Sequence, residues 1–152
     1  MNKMLLLILL IISGCSHHNV TDDEVIKHYY DNSVLYNELA KQSCSQFEDL
    51  ASGEIVEITS NDKKYPIIAN NLKQLERDSI YIDRRDGECS LQLIYFGEGA
   101  FNAVNVFYLN FNLKNPKLYD DKTDKASVRD KMKRYYFDMP LSNGWYFSYE
   151  TY

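Results

Sequence analysis

Two turn signals in the second half of the chain constrain its fold more than any other feature of the sequence. They are Asp86-Gly87, which lies in a polar loop, and Asn143-Gly144, which lies between alternating runs rich in aromatic residues. Such dipeptides are typical of two-residue β-hairpins, because the type I′ turn needs a positive φ at both positions. The flanking runs are therefore predicted to pair as antiparallel hairpins. The predicted strands span 79–83, 89–96, 134–141 and 145–151.

Two other segments have the composition or the alternation of β-strands. The segment 54–60 is rich in β-branched residues, which favour strands. The segment 103–113 alternates between two sets of side chains. The apolar set is Phe107, Leu109, Phe111 and Leu113, and the more wettable set is Val106, Tyr108, Asn110 and Asn112. This alternation is typical of a sheet that packs on one side only.

The first half of the chain carries the main helical signals. Thr21 and Glu24 have the spacing of a capping box at a helix N-terminus. Apolar residues then recur near helical spacing, which predicts a helix over 22–45. They are Val25, Tyr29, Val34 or Leu35, Leu39 and, less regularly, Phe47. A second, short helix is predicted to begin at Pro66, since proline is common in the first turn of a helix.

The order of these elements is a helix, a strand, a short helix and then mostly hairpin-linked strands. Strands joined by short turns pair antiparallel. The sequence therefore predicts the α+β class: an antiparallel sheet of five or six strands with the N-terminal helix packed on one face. The segment 97–99 is predicted to turn the chain. The charge-dense segment 120–133 is predicted to be a surface loop or an exposed helix from about Lys125.

The first fourteen residues have the layout of a secretory signal peptide. Lys3 supplies a positive start, and an unbroken apolar run over 4–12 leads to two small residues. That run is shorter than the roughly 20 residues that a bilayer-spanning helix needs. Residues 1–14 are therefore predicted to be removed, with 15–20 as a tether and 21–152 as a single globular domain.

The end of this segment, Ile12-Ser13-Gly14-Cys15, resembles the lipobox of bacterial lipoproteins. The resemblance covers the first fifteen residues only. It implies that Cys15 becomes the first residue of the mature chain and holds the lipid, which anchors the protein in a membrane. Ser16 stands where, in that family, an aspartate favours the inner membrane of Gram-negative bacteria, so the resemblance implies the outer membrane. The alternative is an ordinary secretory signal with a chance cysteine.

With Cys15 assigned to the lipid, Cys44 and Cys89 remain as a pair. Disulfides form and persist in oxidising compartments outside the cytoplasm. A disulfide between these two residues is therefore the leading interpretation. The alternative is two separate buried thiols, each acting as a small apolar side chain.

No established catalytic signature occurs in the sequence. Neighbouring carboxylates occur only in polar segments, where solvated side chains are expected: Glu48 and Asp49, Asp83 and Asp86, Asp120 and Asp121. His17 and His18 lie in the tether, which does not hold metal ligands in a fixed geometry. His28 follows Glu24 by one turn, where a helix-surface pair is expected. The sequence thus predicts a non-enzymatic protein with no catalytic residue, metal or cofactor.

The charge balance bears on the class of partner. Without Lys3, the 17 lysines and arginines become 16, against 22 acidic residues, which gives a net charge of about −6. An acidic domain is a poor candidate for binding nucleic acid, so no nucleic-acid partner is predicted. The charge suits a basic protein partner, although solubility alone explains the same value.

The last predicted hairpin supplies the candidate partner-binding residues: Tyr135, Tyr136, Trp145, Tyr146 and Tyr149. Tyrosine and tryptophan are favoured at interfaces. The alternative is that these side chains complete the core.

The leading functional hypothesis is an outer-membrane lipoprotein with a protein-binding domain, an inhibitor or immunity protein against an envelope-targeted toxin or hydrolase. The competing hypothesis is a structural or assembly lipoprotein of an envelope complex, in contact with peptidoglycan.

Overall fold

A computed structural model of the chain describes residues 20–96, 105–122, 124 and 135–151. The described elements are α1 (Asp22–Asp31), α2 (Ser33–Gln46), β1 (Ile55–Thr59), α3 (Pro66–Gln74), β2 (Ser79–Arg85), β3 (Glu88–Phe96), β4 (Asn105–Phe111), β5 (Tyr135–Pro140) and β6 (Trp145–Thr151). The predicted signal peptide, Cys15, the turn at 97–99 and most of the charged segment 120–133 lie outside the described residues. In the part that is described, no helix has the length and hydropathy to cross a membrane.

The six strands form one antiparallel sheet in the order β1-β2-β3-β4-β6-β5. The predicted α+β class, with helices packed on an antiparallel sheet, is thereby confirmed. Both hairpins are confirmed as well. Asp86 and Gly87 have φ of 54° and 80°, and Asn143 and Gly144 have the same two values. A positive φ at both central residues is the reason why these dipeptides are favoured there.

The N-terminal helical region differs from the prediction in one respect. The capping box is confirmed, because the Thr21 hydroxyl accepts from the Glu24 amide and the Glu24 carboxylate accepts from the Thr21 amide. The single helix predicted over 22–45 is wrong, since Asn32 separates α1 from α2. The Asn32 side chain donates to the His28 carbonyl at 3.0 Å. Asparagine readily makes such local bonds and therefore favours helix ends over helix interiors.

One side of the sheet, here called the helix face, packs against the helices. Its buried side chains include Ile58, Ile80, Ile82, Leu91, Leu93, Tyr95, Phe107, Leu109, Phe137, Trp145, Phe147 and Tyr149. The helices contribute Tyr29, Tyr36, Leu39 and Leu72 to the same core. The predicted alternation of β4 is confirmed, since Phe107 and Leu109 pair with core residues while Tyr108 and Asn110 point to the opposite side.

A disulfide joins the helices to the middle of the sheet. Cys44 near the end of α2 is bonded to Cys89 in β3, with 5.6 Å between the two Cα atoms. The predicted pairing is confirmed. The link holds α2 against the helix face, so the opposite side of the sheet is the side left for other contacts.

Candidate binding surface

The side of the sheet opposite the helices is here called the polar face. None of the three described helices packs on it, because their buried residues belong to the core of the helix face. The strand register places the following side chains on it: Glu57, Tyr81, Asp83, Gln92, Ile94, Tyr108, Asn110, Tyr136, Asp138, Tyr146, Ser148 and Glu150. The polar face is therefore the candidate surface for a ligand or partner.

The five aromatic residues predicted to bind a partner fall on both sides of the sheet. Tyr135, Trp145 and Tyr149 lie on the helix face and are buried. For these three, partner binding is the wrong interpretation and the core interpretation holds, because their side chains have almost no exposed surface. Tyr136 and Tyr146 lie on the polar face and are half-buried. The division follows from the two-residue period of a β-strand.

Two more half-buried tyrosines join these two on the polar face. Tyr81 comes from β2 and Tyr108 from β4. The Tyr108 hydroxyl donates to the Glu150 carboxylate at 3.3 Å. Sequence reasoning had assigned Tyr108 to the wettable side of its strand without proposing it as a contact residue. Tyr81, Tyr108, Tyr136 and Tyr146 are called the four surface tyrosines below.

A row of hydrogen bonds crosses four neighbouring strands of the polar face and is here called the polar chain. Gln92 Nε2 donates to Asn110 Oδ1 at 3.1 Å, and Asn110 Nδ2 donates to Ser148 Oγ at 2.7 Å. Ser148 Oγ in turn donates to Asp138 Oδ1 at 2.5 Å. Asn110, Ser148 and Asp138 are buried. Polar groups that are buried and fully hydrogen-bonded fix one arrangement of the side chains around them.

Asp138 is the anchor of the polar chain. Its Oδ1 also accepts from the Tyr136 hydroxyl at 2.5 Å, and its Oδ2 accepts from the Lys117 amide at 2.7 Å. The segment that contains Lys117 runs along the edge of β5, where Leu118 pairs with Asp138 in a parallel bridge. Burial raises the pKa of Tyr136, and the hydrogen bond to Asp138 raises it further. Tyr136 therefore stays protonated at neutral pH and acts as a hydrogen-bond donor.

Replacing Asp138 with asparagine tests this anchor. An amide offers one acceptor oxygen instead of two, so either the Lys117 amide or the Ser148 and Tyr136 hydroxyls lose their acceptor. We expect the free energy of unfolding to fall by about 1–3 kcal/mol, as for other buried groups left without a partner. Urea denaturation followed by circular dichroism measures this change. Asp121→Asn, which alters an exposed carboxylate, is the matched control. Equal stability of the two variants would show that the Asp138 contacts contribute nothing.

A pocket of about 260 Å³ opens on the polar face beside the polar chain. Tyr81, Asp83, Arg85, Gln92, Asn110 and Lys114 line it, together with apolar side chains. Arg85 Nε and Asp83 Oδ2 form an ion pair at 2.6 Å. None of the five aromatic residues singled out in the sequence lines this pocket. The residues that line the pocket come from β1, β2, β3, β4 and the segment after β4, so they meet only when these strands have paired.

The helix face holds a second polar cluster, around His28. The Nδ1 atom of His28 lies 3.0 Å from the Tyr36 hydroxyl and 3.3 Å from the Tyr95 hydroxyl. The guanidinium of Arg77 stacks 3.9 Å from the centre of the Tyr95 ring. The Glu24 carboxylate, with which the sequence predicts a surface pair, accepts from the Thr21 amide in the capping box. Burial raises the pKa of both phenols, so neither is a base at neutral pH.

The pKa of His28 lies below its ordinary value, chiefly because burial disfavours the charged imidazole and secondly because Arg77 repels it. The unfolded chain therefore takes up a proton near pH 6.5 that the folded chain takes up only at lower pH. We expect stability to fall as the pH is lowered through this range. Melting temperatures at about pH 7.5 and about pH 5.5 measure it. His28→Gln should lose less stability over that interval than the unaltered protein, and an equal loss would contradict the assignment.

Across the described ranges, no group of three or more histidine, cysteine, aspartate or glutamate side chains is arranged to hold a metal ion. His17 and His18 lie outside those ranges.

Comparisons of the chain with family models, with curated proteins and with solved structures found no match. The function of this chain is therefore inferred from its own residues.

Proposed function

We propose that this chain is a lipid-anchored protein of the bacterial outer membrane whose polar face binds another protein. The observation that carries the proposal is the set of four surface tyrosines held over the polar chain, on the side of the sheet away from the helices. Tyrosine buries a large amphipathic area at a low cost in side-chain entropy, which is why it is enriched at binding surfaces.

The rigidity of the polar face supports this proposal. Tyr136 is held by Asp138 of the same strand and Tyr108 by Glu150 of the neighbouring β6, so two of the four surface tyrosines are oriented by hydrogen bonds. Association costs free energy when side chains must be immobilised, and a surface that is already ordered avoids part of that cost. A pre-ordered face is suited to specific recognition of one partner.

The anchoring part of the proposal rests on the lipobox resemblance and on the disulfide. Cys15 would carry the lipid, and the Cys44–Cys89 bond is of the kind that persists in oxidising compartments. Stable anchoring needs more than one acyl chain, and lipoprotein maturation supplies them. The acidic charge of the chain favours a basic partner. An inhibitor or immunity protein that neutralises a basic toxin or hydrolase at the envelope fits these properties.

Capture of proteins from a solubilised envelope extract tests the binding surface. The purified full chain is compared with a Tyr108→Ser, Tyr146→Ser double variant of the polar face. Tyr30→Ser is the matched control, because Tyr30 lies on α1 and is 54% exposed. We expect the chain and the control to retain the same protein, and the double variant to retain at least about tenfold less, since interface tyrosines often contribute 2 kcal/mol or more.

Two results would contradict the proposal. One is equal capture by the double variant and the unaltered chain, provided that both have the same melting temperature. The other is co-sedimentation of the purified chain with peptidoglycan in the absence of any protein partner. That second result would favour the competing hypothesis, a structural or assembly lipoprotein.

A further inference from the structure

Asp83, in the pocket of the polar face, has a carboxylate that is only partly satisfied. Its Oδ2 forms an ion pair with Arg85 Nε, but its Oδ1 is buried and has no hydrogen-bond partner among the described residues. A buried acceptor without a donor costs about 1–3 kcal/mol, and more when it is charged. The Asp83 side chain lines the pocket and keeps 18% of its surface exposed, so the carboxylate stands at the wall of the pocket. The site therefore favours a ligand that brings hydrogen-bond donors.

The neighbouring polar groups have most of their donors in use. Gln92 uses its Nε2 to donate to Asn110, which leaves its carbonyl oxygen as an acceptor. The Lys114 ammonium donates to the Arg85 carbonyl at 2.9 Å and to Asp86 at 3.1 Å, and it lies 3.4 Å from Glu88. Apart from the exposed Arg85 guanidinium, which is paired with Asp83, what remains at the pocket is mainly the capacity to accept hydrogen bonds.

Charge and shape narrow the class of ligand further. Of the charged residues that line the pocket, Asp83 is paired with Arg85, and Lys114 is paired with Asp86 and Glu88, which lie outside the lining. The Arg85 side chain is 63% exposed, so its pair with Asp83 is weak and is displaced at a small cost, about 0–1 kcal/mol. Two apolar residues that do not belong to the helix-face core, Ile55 and Leu113, also line the pocket. Such a wall suits the aliphatic stem of a long basic side chain.

We infer that this pocket receives one lysine or arginine side chain of the protein partner. The charged head binds the Asp83 carboxylate and the Gln92 carbonyl, and the stem packs against Ile55 and Leu113. This inference rests on the proposed function and specifies which chemistry of the partner the polar face recognises. A neutral sugar fits less well, because it brings no positive charge to the Asp83 carboxylate.

Short peptides test the inference directly on the purified full chain in detergent. The probes are acetyl-Gly-Arg-Gly-amide and acetyl-Gly-Lys-Gly-amide, with the norleucine peptide as the uncharged control of equal stem length. N-acetylglucosamine is the sugar probe. In ¹H–¹⁵N spectra, we expect the two basic peptides to cause saturable shifts at Asp83, Gln92 and Asn110. We expect the norleucine peptide and the sugar to cause none.

Two variants assign the effect to the carboxylate. Asp83→Asn preserves the shape of the side chain, and we expect it to weaken binding of the arginine peptide by about five- to tenfold, the effect of losing one ion pair of about 1 kcal/mol. Asp121→Asn removes the same charge from an exposed position that does not line the pocket, and it should bind as the unaltered chain does. Equal binding by Asp83→Asn, saturable shifts with the sugar alone, or no saturable shift with either basic peptide would overturn the inference.

Failure of this inference is distinguishable from failure of the proposed function. If Asp83→Asn captures the partner as well as the unaltered chain, while the double tyrosine variant does not, the polar face binds a protein without using the pocket. If the basic peptides saturate the pocket but no envelope protein is captured, the pocket does bind basic side chains and the proposed function is contradicted.

Discussion

The Trp145→Ala variant is expected to lose about 3–5 kcal/mol of its free energy of unfolding. Trp145 is 1% exposed, and its ring centre lies 5.4 Å from those of Tyr36 and Phe111 and 6.1 Å from that of Tyr29. It therefore joins α1, α2 and the sheet at a single point of the core. Removing the indole leaves a cavity that these rings fill only in part. Urea denaturation followed by circular dichroism measures the loss.

Trp145→Phe is the control for this prediction. The indole Nε1 is buried without a hydrogen-bond partner in the part of the chain that the structure describes. Phenylalanine keeps most of the aromatic contact and removes this unpaired donor, so we expect a loss less than half that of the alanine variant. A Trp145→Ala protein that keeps its full stability but no longer captures its partner would place Trp145 at the interface and contradict the core assignment.

The second large effect is expected from removing the disulfide. Cys44 and Cys89 are 45 residues apart in sequence, and a cross-link that closes a loop of this size stabilises a protein by about 4 kcal/mol in the chain-entropy description. The Cys44→Ala, Cys89→Ala double variant should therefore unfold at a clearly lower urea concentration. The change is measured in the same denaturation experiment as above.

Reduction of the unaltered protein is the control for the disulfide prediction. Addition of dithiothreitol should lower its stability to that of the double variant and leave the double variant unchanged. If oxidised and reduced protein unfold at the same urea concentration, the bond contributes nothing to the fold.

The features that could be predicted from the sequence are local ones. The two hairpins depend on turn dipeptides whose backbone preference is intrinsic, and the capping box depends on residues three positions apart. The sides of β4 follow from the two-residue period of a strand. The disulfide followed from counting cysteines. None of these predictions required knowledge of which distant segments meet.

The break at Asn32 shows where local reasoning ends. The apolar spacing continues across it, but at Asn32 the His28 carbonyl accepts from the side-chain amide as well as from the backbone amide, a local bond that is typical of helix ends. Sequence spacing does not reveal which of the two arrangements is more stable. In the folded protein, Tyr29 is buried on one side of the break and Tyr36 on the other.

The candidate site was predicted less well than the fold. The hairpin residues were identified as a group, but alternation divides them, and only Tyr136 and Tyr146 reach the polar face. The polar chain depends on β6 lying between β4 and β5, an order that the sequence pattern does not specify. The pocket likewise combines β2, β3 and β4. These features arise from contacts between strands and therefore appear only in the folded chain.

The proposed function depends on the chain lying outside the cytoplasm with Cys15 acylated. The mass of the amino-terminal peptide from protein purified out of bacterial membranes tests this most directly. We predict a peptide that begins at Cys15 and carries a diacylglyceryl group on its thiol and an acyl group on its amine. An unmodified peptide that begins at Met1, in protein recovered from the cytosol, would contradict the anchoring and, with it, the proposed location of the partner.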